Sequence, residues 1–145
     1  MPKRTRLSDV FGALLLPAFL IPVLGVHTPV RVQKEPRITG TYTNMSYIEE
    51  AGDVIGYEIK IVFTGSKFQG ALQIAEGVPG ELMLVDIKVV GTNISFTIPD
   101  GSPYPGQFSG TIENGLLKGT FSFKNGGGGS ETVELRRGRS YWDQA

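Results

Sequence analysis

The chain contains one His, His27, and no Cys. Nucleophilic catalysis of the Ser-His-Asp or Cys-His kind needs a His or Cys held in place by the fold. His27 lies just past an apolar N-terminal run and reads as a lead-in residue. Without Cys there can be no disulfide, thiolate nucleophile, Cys-ligated zinc or iron–sulfur cluster. A single His rules out a multi-His metal site. Any chemistry is left to carboxylates, Tyr, Lys and Arg. The densest acidic group is Glu49-Glu50-Ala51-Gly52-Asp53, which includes Glu49, Glu50 and Asp53 as a candidate loop site for a cation or for acid–base work. Calcium loops spread oxygen ligands over about a dozen residues, and this stretch is too short for one. A solvated turn is the simpler reading. Tyr47 and Tyr57 could add hydroxyls nearby. At the other end, Arg136-Arg137-Gly138-Arg139-Ser140-Tyr141-Trp142 holds the only Trp and suggests either a recognition patch or a tail whose rings plug a domain end. No catalytic residue, metal or cofactor is expected.

The elements that must hold these residues are strands. Apolar residues alternate with polar ones through Ile55-Tyr57-Ile59-Ile61-Phe63, Phe68-Gly70-Leu72-Ile74, Met83-Val85-Ile87-Val89 and Ile94-Phe96-Ile98. They alternate again through Phe108-Gly110-Ile112, Leu117-Gly119-Phe121-Phe123 and Val133-Leu135, and Ile38-Gly40-Tyr42 makes a first strand. Period two marks half-buried strands, and these segments number eight. Turn chemistry separates them: Gly65-Ser66-Lys67, Gly77-Val78-Pro79-Gly80, Gly91-Thr92-Asn93, Asp100 to Gly106, Asn114-Gly115, and a glycine loop from Gly126 to Gly129. Asn114-Gly115 predicts a type I′ hairpin. Short links predict that consecutive strands pair as a meander.

Four of these strands carry the pattern apolar-x-Gly-x-apolar, centred on Gly40, Gly70, Gly110 and Gly119. Glycine inside a strand marks a bend or a close approach, and inward glycines help a sheet coil shut. The predicted fold is all-β, an eight-stranded antiparallel up-and-down barrel over residues 38–145, with a β-sandwich as the alternative. Residues 38–137 resemble the calycin-type barrels, the lipocalins and avidin-like proteins, in strand count and connectivity. Lipocalins open their first strand with Gly-x-Trp and cover that ring with an Arg near the last strand. Here Gly40-Thr41-Tyr42 holds the first position with Tyr in place of Trp, and Arg136 or Arg137 could fill the second. The resemblance implies small-molecule binding.

The inward face is almost wholly apolar. Tyr42, Tyr57, Phe63, Phe68, Phe96, Tyr104, Phe108 and Phe121 are the candidate ligand-binding residues of the interior and rim. A barrel of this size is either filled by its own side chains or holds one small ligand. An occupant would have to be apolar, because charged groups are nearly absent from that face.

Residues 1–25 form a basic start and an apolar run, Val10 to Val26, in the layout of a secretory signal peptide. An uncleaved membrane anchor is the alternative, and residues 26–37 read as an extended lead-in. The whole chain has 14 basic and 14 acidic residues, but from Ile38 onward eight stand against twelve, a net of −4. That domain does not suit nucleic acid. The leading expectation is an exported binding barrel, secreted or periplasmic, for an apolar small molecule, with membrane contact only through the N-terminal segment. The alternatives are a protein-interaction or inhibitor module using rim loops and tail, and a barrel enzyme of isomerase or cyclase type using carboxylate or Tyr groups.

Overall fold

A computed structural model describes residues 37–125 and 129–144. The predicted signal peptide and lead-in, and the middle of the glycine loop, lie outside the described residues.

Among the described residues there are nine strands: β1 (Gly40–Thr43), β2 (Ser46–Ile48), β3 (Asp53–Phe63), β4 (Phe68–Pro79), β5 (Met83–Val90), β6 (Asn93–Ile98), β7 (Gly106–Glu113), β8 (Leu116–Phe123) and β9 (Ser130–Gly138). All pairings are antiparallel, and each strand from β3 to β8 pairs with the next. β1 pairs with both β3 and β9, which closes eight strands into a barrel. The eight-stranded meander read from alternation is therefore the observed fold, and the sandwich is not.

Two local details depart from the sequence reading. β2 is an additional strand: it pairs only with β3, through Ser46↔Ile55 to Ile48↔Asp53. It is three residues long, too short to show a period. Asn44 and Met45 bulge between β1 and β2, and Asn44 stays tied to β3 through the Asn44 amide to the Tyr57 carbonyl (3.0 Å) and the Tyr57 amide to Asn44 Oδ1 (2.8 Å). Likewise Gly77-Val78-Pro79 is not a turn. β4 runs on through Pro79 alongside β3, and the chain folds back at Gly80, whose amide donates to the Ile74 carbonyl (2.9 Å). Proline is tolerated there because β5 pairs with β4 only from Phe68 to Leu72, so the stretch has a free edge. At the β7–β8 turn, Asn114 and Gly115 have φ of 51° and 76°, the positive pair that a type I′ hairpin requires.

Strand direction gives the barrel two ends. The entry end carries the incoming chain at Arg37 and the β3–β4, β5–β6 and β7–β8 links; the far end carries the β2–β3, β4–β5, β6–β7 and β8–β9 links. The inward residues bury one apolar cluster, from Tyr42 and Ile59 through Leu72, Ile98 and Phe108 to Leu135. The inward glycines create no space inside it. Gly110 and Gly119 face each other across β7 and β8, and the Phe108 ring lies over both, where a Cβ on Gly119 would collide with it. At the entry end, Tyr42 is fully buried and the Arg137 guanidinium lies 6.0 Å above its ring centre. Arg137 also donates to the Arg37 carbonyl at 3.3 Å and to the Thr39 carbonyl. Gly40 permits this: its φ is +143°, and a Cβ there would stand 2.7 Å from Arg137 Nε.

Candidate functional site

The eight candidate aromatic residues separate into four places. Tyr57, Phe96, Phe108 and Phe121 form one stack inside the barrel, with Tyr57–Phe121 centroids 4.8 Å apart, Phe96–Phe108 4.9 Å and Phe108–Phe121 4.7 Å. Their strands alternate inward at matching heights, Phe96 opposite Phe108 and Phe108 opposite Phe121. Such contacts leave the stack close-packed, as protein interiors are. Tyr42 lies apart from it, beneath Arg137. Its hydroxyl lies 2.9 Å and 3.0 Å from the Ile38 and Arg37 carbonyls, to which it donates.

At the far end the stack meets a polar cluster. The Tyr57 hydroxyl donates to Glu131 Oε2 at 2.5 Å, and the Tyr104 hydroxyl donates to Glu76 Oε2 at 3.1 Å. The Tyr104 ring lies 6.2 Å from Phe123, which stacks on Phe121 at 5.5 Å. Burial, then the hydrogen bond to Glu131, then the charges of Glu131 and Glu76 hold the Tyr57 hydroxyl well above the ordinary phenol range. Burial and Glu76 push Tyr104 in the same direction. Both phenols therefore stay protonated as donors and are poorly suited to act as bases. Glu76 and Glu131 had no signal in the sequence: each falls in a stretch whose neighbours read as turn or solvent face, and only closure of the barrel brings them to the two Tyr.

The acidic loop does not join this cluster through any hydrogen bond. Glu49 and Glu50 lie on the turn between β2 and β3, and Asp53 opens β3 beside Gly77. The Ala51 and Gly52 amides both donate to the Ile48 carbonyl, a tight turn on the surface. Among the described residues no group of three or more His, Asp or Glu side chains is arranged to hold a metal.

Phe63 and Phe68 sit at the entry end, flanking the β3–β4 link with ring centroids 5.0 Å apart. With Ile38, Val89 and Gly91 they line an open recess of about 550 Å³, rimmed by Arg37 and Thr39. Its walls are mainly apolar, and among the described residues that line it Arg37 is the only charged one. This volume suits a small organic ligand. Ile38, just before β1, and Val89 on β5 join the two rings here, a tertiary placement that alternation does not reveal.

The C-terminal tail does not plug an end. Residues Tyr141–Gln144 form a 3-10 turn folded back over the outer wall of β3 and β4. Glu58, the one buried charged residue among those described, accepts from Ser140 Oγ (2.5 Å) and the Tyr141 amide (2.7 Å). Trp142 Nε1 donates to Gln73 Oε1 at 2.8 Å. Glu58 points outward in phase with Lys60, so it needed a cover, and the tail supplies it. Among the described residues no helix is long and apolar enough to cross a membrane.

No protein-family model matches the chain, and neither curated proteins nor solved structures give a significant match. The eight-stranded antiparallel closed barrel, with an Arg laid over the aromatic ring of its Gly-x-Tyr opening, is consistent with a calycin-like fold.

Proposed function

We propose that the protein is an exported small β-barrel that binds an apolar small molecule at its entry end. The recess between Phe63, Phe68, Val89 and Ile38 carries this reading, because it offers apolar wall with one cation at its rim. Such a site favours an apolar body bearing a weak acid, with the acid toward Arg37. The interior aromatic residues Tyr57, Phe96, Phe108 and Phe121 support the recess as scaffold, since they already satisfy one another. Export rests on the basic and apolar layout of residues 1–25.

The test is titration of the purified protein with a fluorescent fatty-acid analogue. Saturable binding is expected, weakened about tenfold or more by Phe63→Ala combined with Val89→Ser. Thr97→Ala, on the outer wall, should leave it unchanged. Absence of saturable binding, or equal binding by the recess variant, rejects the site.

A second reading, the protein-interaction module, draws on a different surface. Ile55, Val78 and Leu82 at the far end are 43%, 73% and 66% exposed and stand among acidic residues. Apolar side chains set in acidic surroundings suit a basic protein partner.

A further inference from the structure

The charges of the barrel sort by end. Glu49, Glu50, Asp53, Glu76, Glu81 and Glu131 belong to the far end, where Lys124 is paired with Asp100. At the entry end Lys67 and Lys118 are paired with Asp86 and Glu134. Among the described residues that leaves Arg37, Lys88, Arg136, Arg137 and Arg139 there against Glu113. A domain with net negative charge thus presents a positive end. Apolar side chains project at the same end: Phe63 is 53% exposed, Val90 61% and Val62 43%. Phe63 continues the inward phase of β3 past the last rung, and Val90 stands at the β5–β6 turn, so neither has barrel wall to cover it.

Cations around exposed apolar tips match a membrane interface, where headgroups are anionic and the layer beneath accepts apolar side chains. The acidic far end would be repelled by the same surface, which fixes the orientation. The covalent chain agrees. It enters the barrel at Arg37, and the apolar run ends at Val26, eleven residues earlier. That span reaches at most about 40 Å, so an anchored or freshly translocated chain is tied to the membrane by this end.

We propose that the entry end docks on an anionic lipid bilayer, with Arg37, Lys88 and Arg136 at the headgroups and Phe63 and Val90 in the interfacial layer. The recess opens on the same surface, so an apolar ligand passes between bilayer and barrel without crossing water. Docking needs only the charges and the tips, and does not require the recess to be occupied.

The test compares the full chain on phosphatidylcholine vesicles and on vesicles enriched in phosphatidylglycerol. The apolar N-terminal run partitions into both, so the anionic preference isolates the proposed surface. Binding to the anionic vesicles should be at least about tenfold stronger and fall with added salt. The triple variant Arg37→Glu, Lys88→Glu, Arg136→Glu should lose that preference, with fluorescent fatty-acid binding tested on the Lys88→Glu, Arg136→Glu pair outside the recess. The chain has no Cys, so Ser66→Cys and Glu50→Cys can each carry an environment-sensitive dye at opposite ends. A blue shift at Ser66 alone is expected. Equal binding to both vesicle types, a blue shift at Glu50 alone, or a variant-sensitive preference for duplex DNA over anionic vesicles overturns the proposal. A native chain that shows no anionic preference yet binds the fatty acid rejects docking and leaves the ligand site standing; one that shows the preference without binding the fatty acid rejects only the ligand site.

Discussion

Tyr57 shows how one side chain ties the interior of this barrel to its far end. The ring stacks on Phe121, and the hydroxyl reaches from β3 to Glu131 on β9. Those two strands do not pair with each other: β1 joins them, and it meets β9 only from Arg136 to Gly138. Tyr57→Phe keeps the ring and removes the bond, and should lower stability by about 1–2 kcal/mol in urea unfolding. The same residue sets a pH dependence. Its folded pKa is raised, so its contribution is complete below the unfolded phenol value of about 10 and is lost as pH rises through the folded value. Unfolding free energy measured between pH 8 and 11 should therefore fall in the native protein, and fall less in Tyr57→Phe. A native profile that is flat in this range would contradict the buried phenol.

At the level of elements, the tail and β3 depend on each other. Glu58 is buried only because Ser140 and Tyr141 lie on it, and it faces the outer wall, away from the apolar cluster. Hydrogen bonds to a charged acceptor are among the stronger ones. Glu58→Ala should free the tail and expose Arg139 to trypsin, with cleavage there several-fold faster, while costing the barrel about 1–3 kcal/mol. Unaltered cleavage would mean that the Trp142–Gln73 bond holds the tail alone. The Asn44–Met45 bulge acts on β1 in a related way. It lets the chain follow β3 on both sides while leaving β9 after Thr43, which opens the barrel wall beside Glu131.

For the whole molecule, closure with a filled interior decides where function can lie. Phe121 touches Tyr57, Phe96, Phe108 and Phe123. Phe121→Ala should cost about 3–5 kcal/mol in denaturant unfolding and leave a dry cavity that takes up benzene or xenon. If the native barrel takes up these probes equally well, its interior is not close-packed. With the interior occupied, ligand and partner sites move to the two ends, whose opposite charge then separates an acidic surface from a basic one.

Strand number, turn positions and the all-β class follow from local chemistry, because period two, Asn-Gly and interrupted apolar runs act within a few residues. The Gly40-Thr41-Tyr42 opening and a covering Arg, Arg136 or Arg137, came from the resemblance to the lipocalins, and the structure places Arg137 over the ring. β2 was not, because three residues have no period, and Pro79 misled because proline breaks only a strand paired on both edges. Closure was suggested by the inward glycines, yet what those glycines do depended on the fold: they admit the Phe108 ring in place of a ligand. Glu76 and Glu131 at Tyr104 and Tyr57, the tail over Glu58, and the recess between Phe63 and Val89 all join residues far apart in the chain. Such contacts arise only when β1 meets β9, since no local preference encodes the company a residue keeps after a sheet has closed on itself.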